Sequence, residues 1–220
     1  MLLNEIEVNT PDPGGAEACE YVEVLGTPGT LAPANLFFVS IDGDSGNFGS
    51  VSYVADISGV QFGTNGTITI VTDSDVCANR IFPAGTTLVF TSSFAMGFGA
   101  ETYLLVQSPA PIFEGQDLDL NNDGVLDPGL GLIPIDGVAW TLVADSSNAV
   151  YGGAPRLTVN TDVPDAATRF NGNTAPFSLG AWYWGNLAGP NAESVGYSAP
   201  FSPNFPAGGV LTPGAAPNAP

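Results

Sequence analysis

An all-β antiparallel sandwich is the fold class this sequence predicts, and three observations predict it. Gly (28) and Pro (19) are spread through the 220 residues as punctuation between short β-branched and aromatic runs. Such spacing belongs to sandwiches rather than to helical bundles. Polar and apolar positions mix within runs such as Glu20-Tyr-Val-Glu-Val24, as a half-buried strand requires. Helical periodicity is nearly absent, and a hydrophobic share of 44% suffices for one large β domain or two small ones.

Taken in order, the expected strands are Leu2–Val8, Glu20–Leu25, Asn35–Ile41, Gly49–Asp56, Thr67–Thr72, Thr87–Phe90, Glu101–Gln107, Val138–Val143, Arg156–Val159 and Ala181–Asn186. Asn65-Gly66 ahead of Thr-Ile-Thr-Ile-Val signals a two-residue hairpin, since both turn positions tolerate positive φ. Residues Asp162–Phe170 read as one short helix. The expected organisation is a β-sandwich over 1–186, interrupted by a calcium-loop insertion near 110–135. Residues 187–220 form a long, irregular Pro/Ala/Gly-rich tail. Alone in water such a tail would be extended. It is either a flexible linker or docked on its own domain or a neighbouring subunit as an added strand, with Gly209–Thr212 the best candidate.

Charge narrows the partners. Three arginines (Arg80, Arg156, Arg169) face 22 acidic residues, giving a formal charge of −19 with no lysine and no histidine. This polyanion repels nucleic acid and anionic membranes, which need cationic neutralisation. Divalent cations, basic proteins and neutral glycans remain. No run approaches the roughly 18 apolar residues of a membrane span. Cys19 and Cys77 have a single pairing open to them; joined, they would close a loop of about sixty residues and stabilise by roughly 4 kcal/mol. Two free buried thiols are the alternative. Met1-Leu-Leu-Asn-Glu5 lacks a basic and a long apolar region, so no signal peptide is expected, and the chain reads as a mature or trimmed secreted form.

The most informative segment is Asp117-Leu-Asp-Leu-Asn-Asn-Asp-Gly-Val-Leu-Asp127. Asp119, Asn121, Asp123 and Asp127 stand at positions 1, 3, 5 and 9 of a D-x-N-x-D-G-x-x-D pattern, with Gly124 at the sharp turn. Hard cations such as Ca2+ take six to eight oxygens, which alternate side chains of such a loop can supply. The Val125 carbonyl would be the backbone ligand and Asp117 an additional one. Zn2+, which prefers His and Cys, suits the set less well. Two carboxylates about 5 Å apart repel by ~3 kcal/mol at an effective dielectric near 20, so a cation would relieve real strain. The competing reading is a turn whose Asp and Asn side chains cap its own backbone. Leu130 stands where an EF-hand has a bidentate Glu, so the loop resembles instead the shorter aspartate loops of thrombospondin type 3 repeats.

A wider likeness joins both ends of the chain to its middle. Leu2-Leu-Asn-Glu-Ile6, Glu20-Tyr-Val-Glu-Val24, Gly26-Thr-Pro-Gly29, Leu36–Asp44, the aspartate loop, Ile135–Trp140, Val150-Tyr-Gly152 and Leu211–Asn218 resemble, in this order, motifs of bacterial lamin-tail-like domains. That resemblance implies an immunoglobulin-like β-sandwich in a secreted or cell-surface bacterial protein. Such modules often stand beside nucleases, esterases or adhesion modules. The chain departs from the pattern around 110–135 and 160–190.

Catalysis has little to work with. Without histidine there is no Ser-His-Asp or Cys-His arrangement, and without lysine no phosphate-binding loop is complete. A two-carboxylate glycosidase remains formally open. Glu5, Glu7, Glu20 and Glu23 are the obvious acids, but the strand period puts Glu5 and Glu7 together on what reads as a solvated face. Trp182 and Trp184 share one face of a strand and are candidates for a sugar-stacking platform or an interface, although large aromatics are more often core. Asp42/Asp44 and Asp73/Asp75 are weak candidates for a second cation site, and Asn65-Gly-Thr67 fits a glycosylation sequon. The expectation is thus a non-catalytic, extracellular, Ca2+-binding structural or adhesive module that associates with itself or with other surface proteins. A carbohydrate- or polymer-binding accessory module of a larger secreted hydrolase is the alternative.

Overall fold

The computed structural model describes residues 1–8, 19–72, 80–91, 96–97, 99–142, 148–159, 163–189 and 194–219. Its strands are β1 (Leu2–Glu7), β2 (Tyr21–Leu25), β3 (Leu36–Asp42), β4 (Val51–Asp56), β5 (Thr67–Thr72), β6 (Thr87–Thr91), β7 (Glu101–Gln107), β8 (Ile133–Leu142), β9 (Arg156–Val159), β10 (Ala166–Arg169), β11 (Trp182–Leu187) and β12 (Tyr197–Pro200). They build two sheets, ordered β12-β11-β10-β1-β2-β5-β6 and β4-β3-β7-β8-β9. Packed face to face, these make an all-β, immunoglobulin-like sandwich. Pairing is antiparallel except for β5–β6 and β8–β9, parallel pairs at one edge of each sheet.

Register follows from which side chains must leave water. In β1 and β2, Leu3 faces Val24 and Ile6 faces Val22, whereas Glu5 faces Glu23 and Glu7 faces Tyr21. The apolar set enters the central core with Phe38, Tyr103, Trp140 and Trp182. A one-residue slip would exchange the two faces, so burial fixes the pairing. In β3 the apolar run Leu36-Phe-Phe-Val39 serves both sides. Leu36 and Phe38 enter the central core, and Phe37 and Val39 enter a second one outside the five-stranded sheet.

That second core is where the mid-chain excursion belongs. Ile112 and Leu118 are buried there against Phe37, Val39 and Leu104, with Leu126, Leu130 and Leu132 packed alongside. The outer face of the seven-stranded sheet has a cover too: Tyr21, Val71, Ala166 and Leu187 bury Leu211 of the C-terminal segment, beside Phe82 and Tyr197. Each fully buried leucine contributes about 1.5–3 kcal/mol by leaving water, so both excursions are held by packing.

Several sequence expectations are corrected. Where the sequence predicts a short helix over 162–170, Ala166–Arg169 form β10, hydrogen-bonded to β1 and β11, and Asp162 lies outside the described residues. A helix that short has no stability of its own to set against two flanking ladders. Asn65-Gly66 makes a turn, with Gly66 at φ +86°, but no two-residue hairpin. Asn65 lacks the positive φ that such a loop demands, and β5 pairs with β2 and β6. Within the tail the strand is Tyr197–Pro200, while Val210 forms only an isolated bridge with Gly196. Strand β8 begins at Ile133, five residues before the expected start, and accommodates Pro134 where β9 does not reach.

One ion pair joins the sheets. Arg169 of β10 meets Asp136 of β8 at 2.5 Å, and both side chains are buried. Asp136 also accepts from the Leu3 and Phe177 amides at 2.9 Å. Arg169 donates to the Leu3 carbonyl at 2.7 Å and lies 4.7 Å from the Trp182 ring centre. Burial lowers the Arg169 pKa even with Asp136 beside it. Removing one partner strands the other charge, at about 3–5 kcal/mol. Arg169→Met and Asp136→Leu are each expected to lower Tm by about 6–20 °C, and the double variant by less than either, measured by thermal melts at fixed pH.

Candidate functional site

The aspartate loop hangs from the edge of the five-stranded sheet. Its entry is pinned by a bridge between Asp117 and Ser50 and by the Leu118 amide on the Gly49 carbonyl at 2.9 Å. Its exit closes through the Asp127 amide on the Leu118 carbonyl at 2.9 Å. Gly49, at φ +78°, has no room for a Cβ: one would fall 2.6 Å from the backbone nitrogen of Asp119. Leu118 points into the second core, and its neighbour Asp119 is carried to full burial.

The loop then wraps around the Asp119 carboxylate. Oδ1 accepts from the Asp123 amide at 3.0 Å; Oδ2 accepts from the Gly124 amide at 2.8 Å and from the Tyr151 hydroxyl at 3.0 Å. Burial and the hydrogen bond to Asp119 push the Tyr151 hydroxyl above its ordinary pKa. Asp117 accepts from the Asp119 amide at 2.8 Å, Asp123 from the Val125 amide at 3.0 Å, and Asp127 from the Leu120 amide at 3.0 Å. Asn121 donates to Asp123 at 2.9 Å. Gly124, at φ +80°, makes the sharp turn the motif requires.

This is the bonding of a turn that caps its own backbone. Among the described residues no group of three or more His, Cys, Asp or Glu side chains gathers as a metal cage. The donor set nevertheless fits a hard cation: every side chain offers oxygen, and Asp117, Asn121 and Asp123 are exposed. No described arginine reaches the loop. Arg80 pairs with Glu7, Arg169 with Asp136, and Arg156 donates to Thr141 and to the Asn148 carbonyl.

The other sequence candidates fare differently. Trp182 and Trp184 are 0% and 2% exposed and belong to the central core, so neither a stacking platform nor an interface is built on them. Their shared face is the one β11 turns toward the opposite sheet. Asp42 accepts from the Asp44 amide at 2.7 Å in a solvated turn, and Asp73 and Asp75 lie outside the described residues. Cys19 is buried, and its expected partner Cys77 lies outside the described residues. The Asn65 amide of the sequon is engaged by Thr86 and by the Gly214 carbonyl.

The largest correction concerns the candidate acids, of which Glu5 and Glu7 read as solvated in the sequence. Glu5, Glu7, Glu20 and Glu23 are all buried. The C-terminal segment covers the sheet face carrying Glu5 and Glu23, and its backbone amides bind them. The Thr212 amide donates to both oxygens of Glu5, at 2.9 and 3.0 Å, and the Gly214 amide donates to Glu23 at 2.5 Å. Tyr21 and Thr168 hydroxyls complete the shell of Glu5; Asn4 and Thr69 complete that of Glu23. Glu7 pairs with Arg80 at 2.6 Å, whose guanidinium lies 4.7 Å from the Tyr21 ring centre. A hint was present in the sequence. A solvated strand face normally mixes both signs of charge, and this chain has no lysine to place there.

Burial dominates the electrostatics of this face. It lifts the Glu5 carboxyl from 4.5 to about 7 against the hydrogen bonds that favour its charge, and Glu7 to about 8 against the pull of Arg80. Glu23 is raised well above its ordinary value for the same reason. A carboxyl with a raised pKa holds its proton in the native state at a pH where the unfolded chain has released it. Its contribution is therefore full below about pH 4.5 and is lost as pH rises through about 7 to 8. Tm in calcium-free buffer should be higher at about pH 5 than at about pH 8.5. Glu5→Gln should flatten that slope; a Tm that rises with pH in the parent chain would contradict the assignment.

No protein-family model, curated protein or solved structure matches the chain.

Proposed function

We propose that this chain is a non-catalytic, calcium-stabilised β-sandwich, secreted or displayed at a bacterial cell surface, that serves as a structural or adhesive module. The observation that carries the reading is Asp119: a fully buried carboxylate at the centre of a turn with three further aspartates and no arginine among the described residues to balance them. A divalent ion held by Asp117, Asp119, Asn121, Asp123, Asp127 and the Val125 carbonyl would neutralise the turn and fix its orientation on the second core. When bound, the ion supplies charge compensation and rigidity, not chemistry.

The buried glutamates favour the non-catalytic side of this reading. Raised carboxyl pKa values often mark acid–base sites, but here the same oxygens accept amides of the chain's own C-terminal segment and have no contact with solvent. They act as anchors. The likeness to bacterial lamin-tail-like domains and the Cys19–Cys77 bridge belong to the same proposal. So does association with further copies or other surface proteins, which the edge of the seven-stranded sheet favours. Strand β6 ends that sheet and carries Phe90, 62% exposed, the kind of edge to which strands add. Among the described residues no helix is long and apolar enough to cross a membrane.

Calcium at about a hundred times its Kd should add about 2.7 kcal/mol, a rise in Tm of about 5–10 °C for a chain of this size. EGTA should reverse it, and Asp123→Ala, an exposed position, should abolish the response while leaving the calcium-free Tm nearly unchanged. Identical melts with calcium and with EGTA, together with no binding heat, would reject the metal. Sedimentation at increasing concentration should show assemblies that Phe90→Lys dissolves; monomers throughout would reject self-association.

A further inference from the structure

The C-terminal segment lies over the outer face of the seven-stranded sheet as a strap, and what it seals there is a pair of acids. Glu5 of β1 and Glu23 of β2 are register partners on adjacent antiparallel strands, a placement that sets their Cβ atoms about 4.5–5.5 Å apart. Both are 0% exposed. The strap closes over them with two of its own amides: that of Thr212 donates to Glu5, and two residues on, that of Gly214 donates to Glu23. Leu211 is buried beside them against Tyr21, Val71, Ala166 and Leu187. The strap's carbonyls are held as well, Val210 by the Tyr183 hydroxyl and Gly214 by Asn65 and Thr86.

No cation answers this pair directly. The donors that reach the two carboxylates are neutral: Tyr21, Thr168 and Thr212 for Glu5, and Asn4, Thr69 and Gly214 for Glu23. Of the charged groups nearby, Arg80 and Glu7 are committed to one another, and Asp165, beyond Glu7, accepts the Leu187 amide. Tyr21, Tyr183 and Tyr197 also face the pair, and burial pushes all three hydroxyls up, so they stay neutral. The strap itself, residues 201–219, has no ionisable side chain. Two opposed carboxylates sealed from water cannot both carry charge without a large cost. Either a proton stays on the pair or the cover lifts and admits water. Strand β1 is locked between β2 and β10, and β2 between β1 and β5, so the strap is the part that can yield.

We propose that the C-terminal segment is a latch on this glutamate pair, shut while the pair keeps a proton and lifting as both acids become charged, which bares the outer face of the seven-stranded sheet. The sign follows from burial. In the shut state burial raises Glu5 from 4.5 to about 7 and Glu23 well above its ordinary value; once the strap lifts, both meet water and return toward 4.5. A group whose pKa is raised in one state stabilises that state in acid and ceases to do so as pH rises through the raised value. Between about pH 5.5 and about pH 8.5, Glu5 alone shifts the balance toward the lifted state about thirtyfold, and Glu23 adds to it. The aspartate turn hangs from the other sheet, so the latch works without calcium.

The test is amide hydrogen exchange of the full chain in EGTA, followed residue by residue by NMR at about pH 5.5 and about pH 8.5, with each rate divided by the intrinsic rate at its pH. Protection of the Thr212 and Gly214 amides should fall by about thirtyfold or more. At both pH values it should be lower than that of Phe38 and Leu104 in β3 and β7, and low urea should leave it unchanged while lowering theirs, because the strap opens without global unfolding. Glu5→Gln should shrink the fall with pH, and Glu5→Gln with Glu23→Gln should abolish it. If these variants fold poorly, the parent chain decides alone. Protection that is constant or rises with pH, strap amides that exchange only together with Phe38 and Leu104, or a full fall kept by the double variant would each overturn the latch.

Discussion

Scarcity of positive charge governs how this chain folds. A sandwich of this size buries acids on several strands, and three arginines cannot answer them all. Arg169 is used where the two sheets meet, against Asp136, and Arg80 is used on Glu7. Other buried carboxylates turn to neutral donors: Glu5 and Glu23 to the amides of Thr212 and Gly214, Asp119 to those of Asp123 and Gly124. Neutral donors balance a buried charge less well than a cation would. On the glutamate face burial raises the carboxyl pKa values, that of Glu7 even with Arg80 beside it. In the aspartate turn Asp119 is buried against amides while Asp117 and Asp123 stay exposed.

The same scarcity explains why the two irregular segments matter. Each lies over an outer sheet face, and each brings both apolar side chains and backbone amides. Leu118 fills the second core while the loop after it folds around Asp119; Leu211 fills the third cluster while Thr212 and Gly214 bind the glutamates. A carboxylate can be buried on a sheet only if what covers it carries donors, and an irregular backbone supplies N–H groups that a strand has already committed to its ladder. Pro- and Gly-rich sequence is suited to that use. It presents unpaired amides without competing to form regular structure of its own.

Much of the sandwich was legible because alternation is a local signal. Strands β1, β3, β5 and β7 fall within about a residue of their expected bounds, since apolar side chains alternate along β5 and run together through β3 and β7, where both faces are covered. Strand β10 was not legible. Ala166-Ala-Thr-Arg169 has no strong preference, and only the ladders to β1 and β11 make it a strand. The aspartate loop was legible as a turn, and Gly124 sits in the left-handed region its spacing requires. The burial of Glu5 and Glu23 was not, because their partners stand roughly 190 to 210 residues away in sequence. Trp182 and Trp184 could be placed on one face of a strand, but which face met the opposite sheet depends on pairing that no local pattern encodes.

The bulge at Asn4 ties these strands of argument together. Had β1 continued in regular register from Leu3, the next side chain would have alternated to the face that Glu5 now occupies, and Glu5 would no longer stand opposite Glu23. The extra residue keeps Glu5 across from Glu23 and sends a carboxamide toward the sheet end. That carboxamide gives its nitrogen to Glu23, an acid that needs a donor. One inserted residue thereby adds a neutral donor to a face that buries carboxylates, and the C-terminal segment, bonded to Glu23, supplies another.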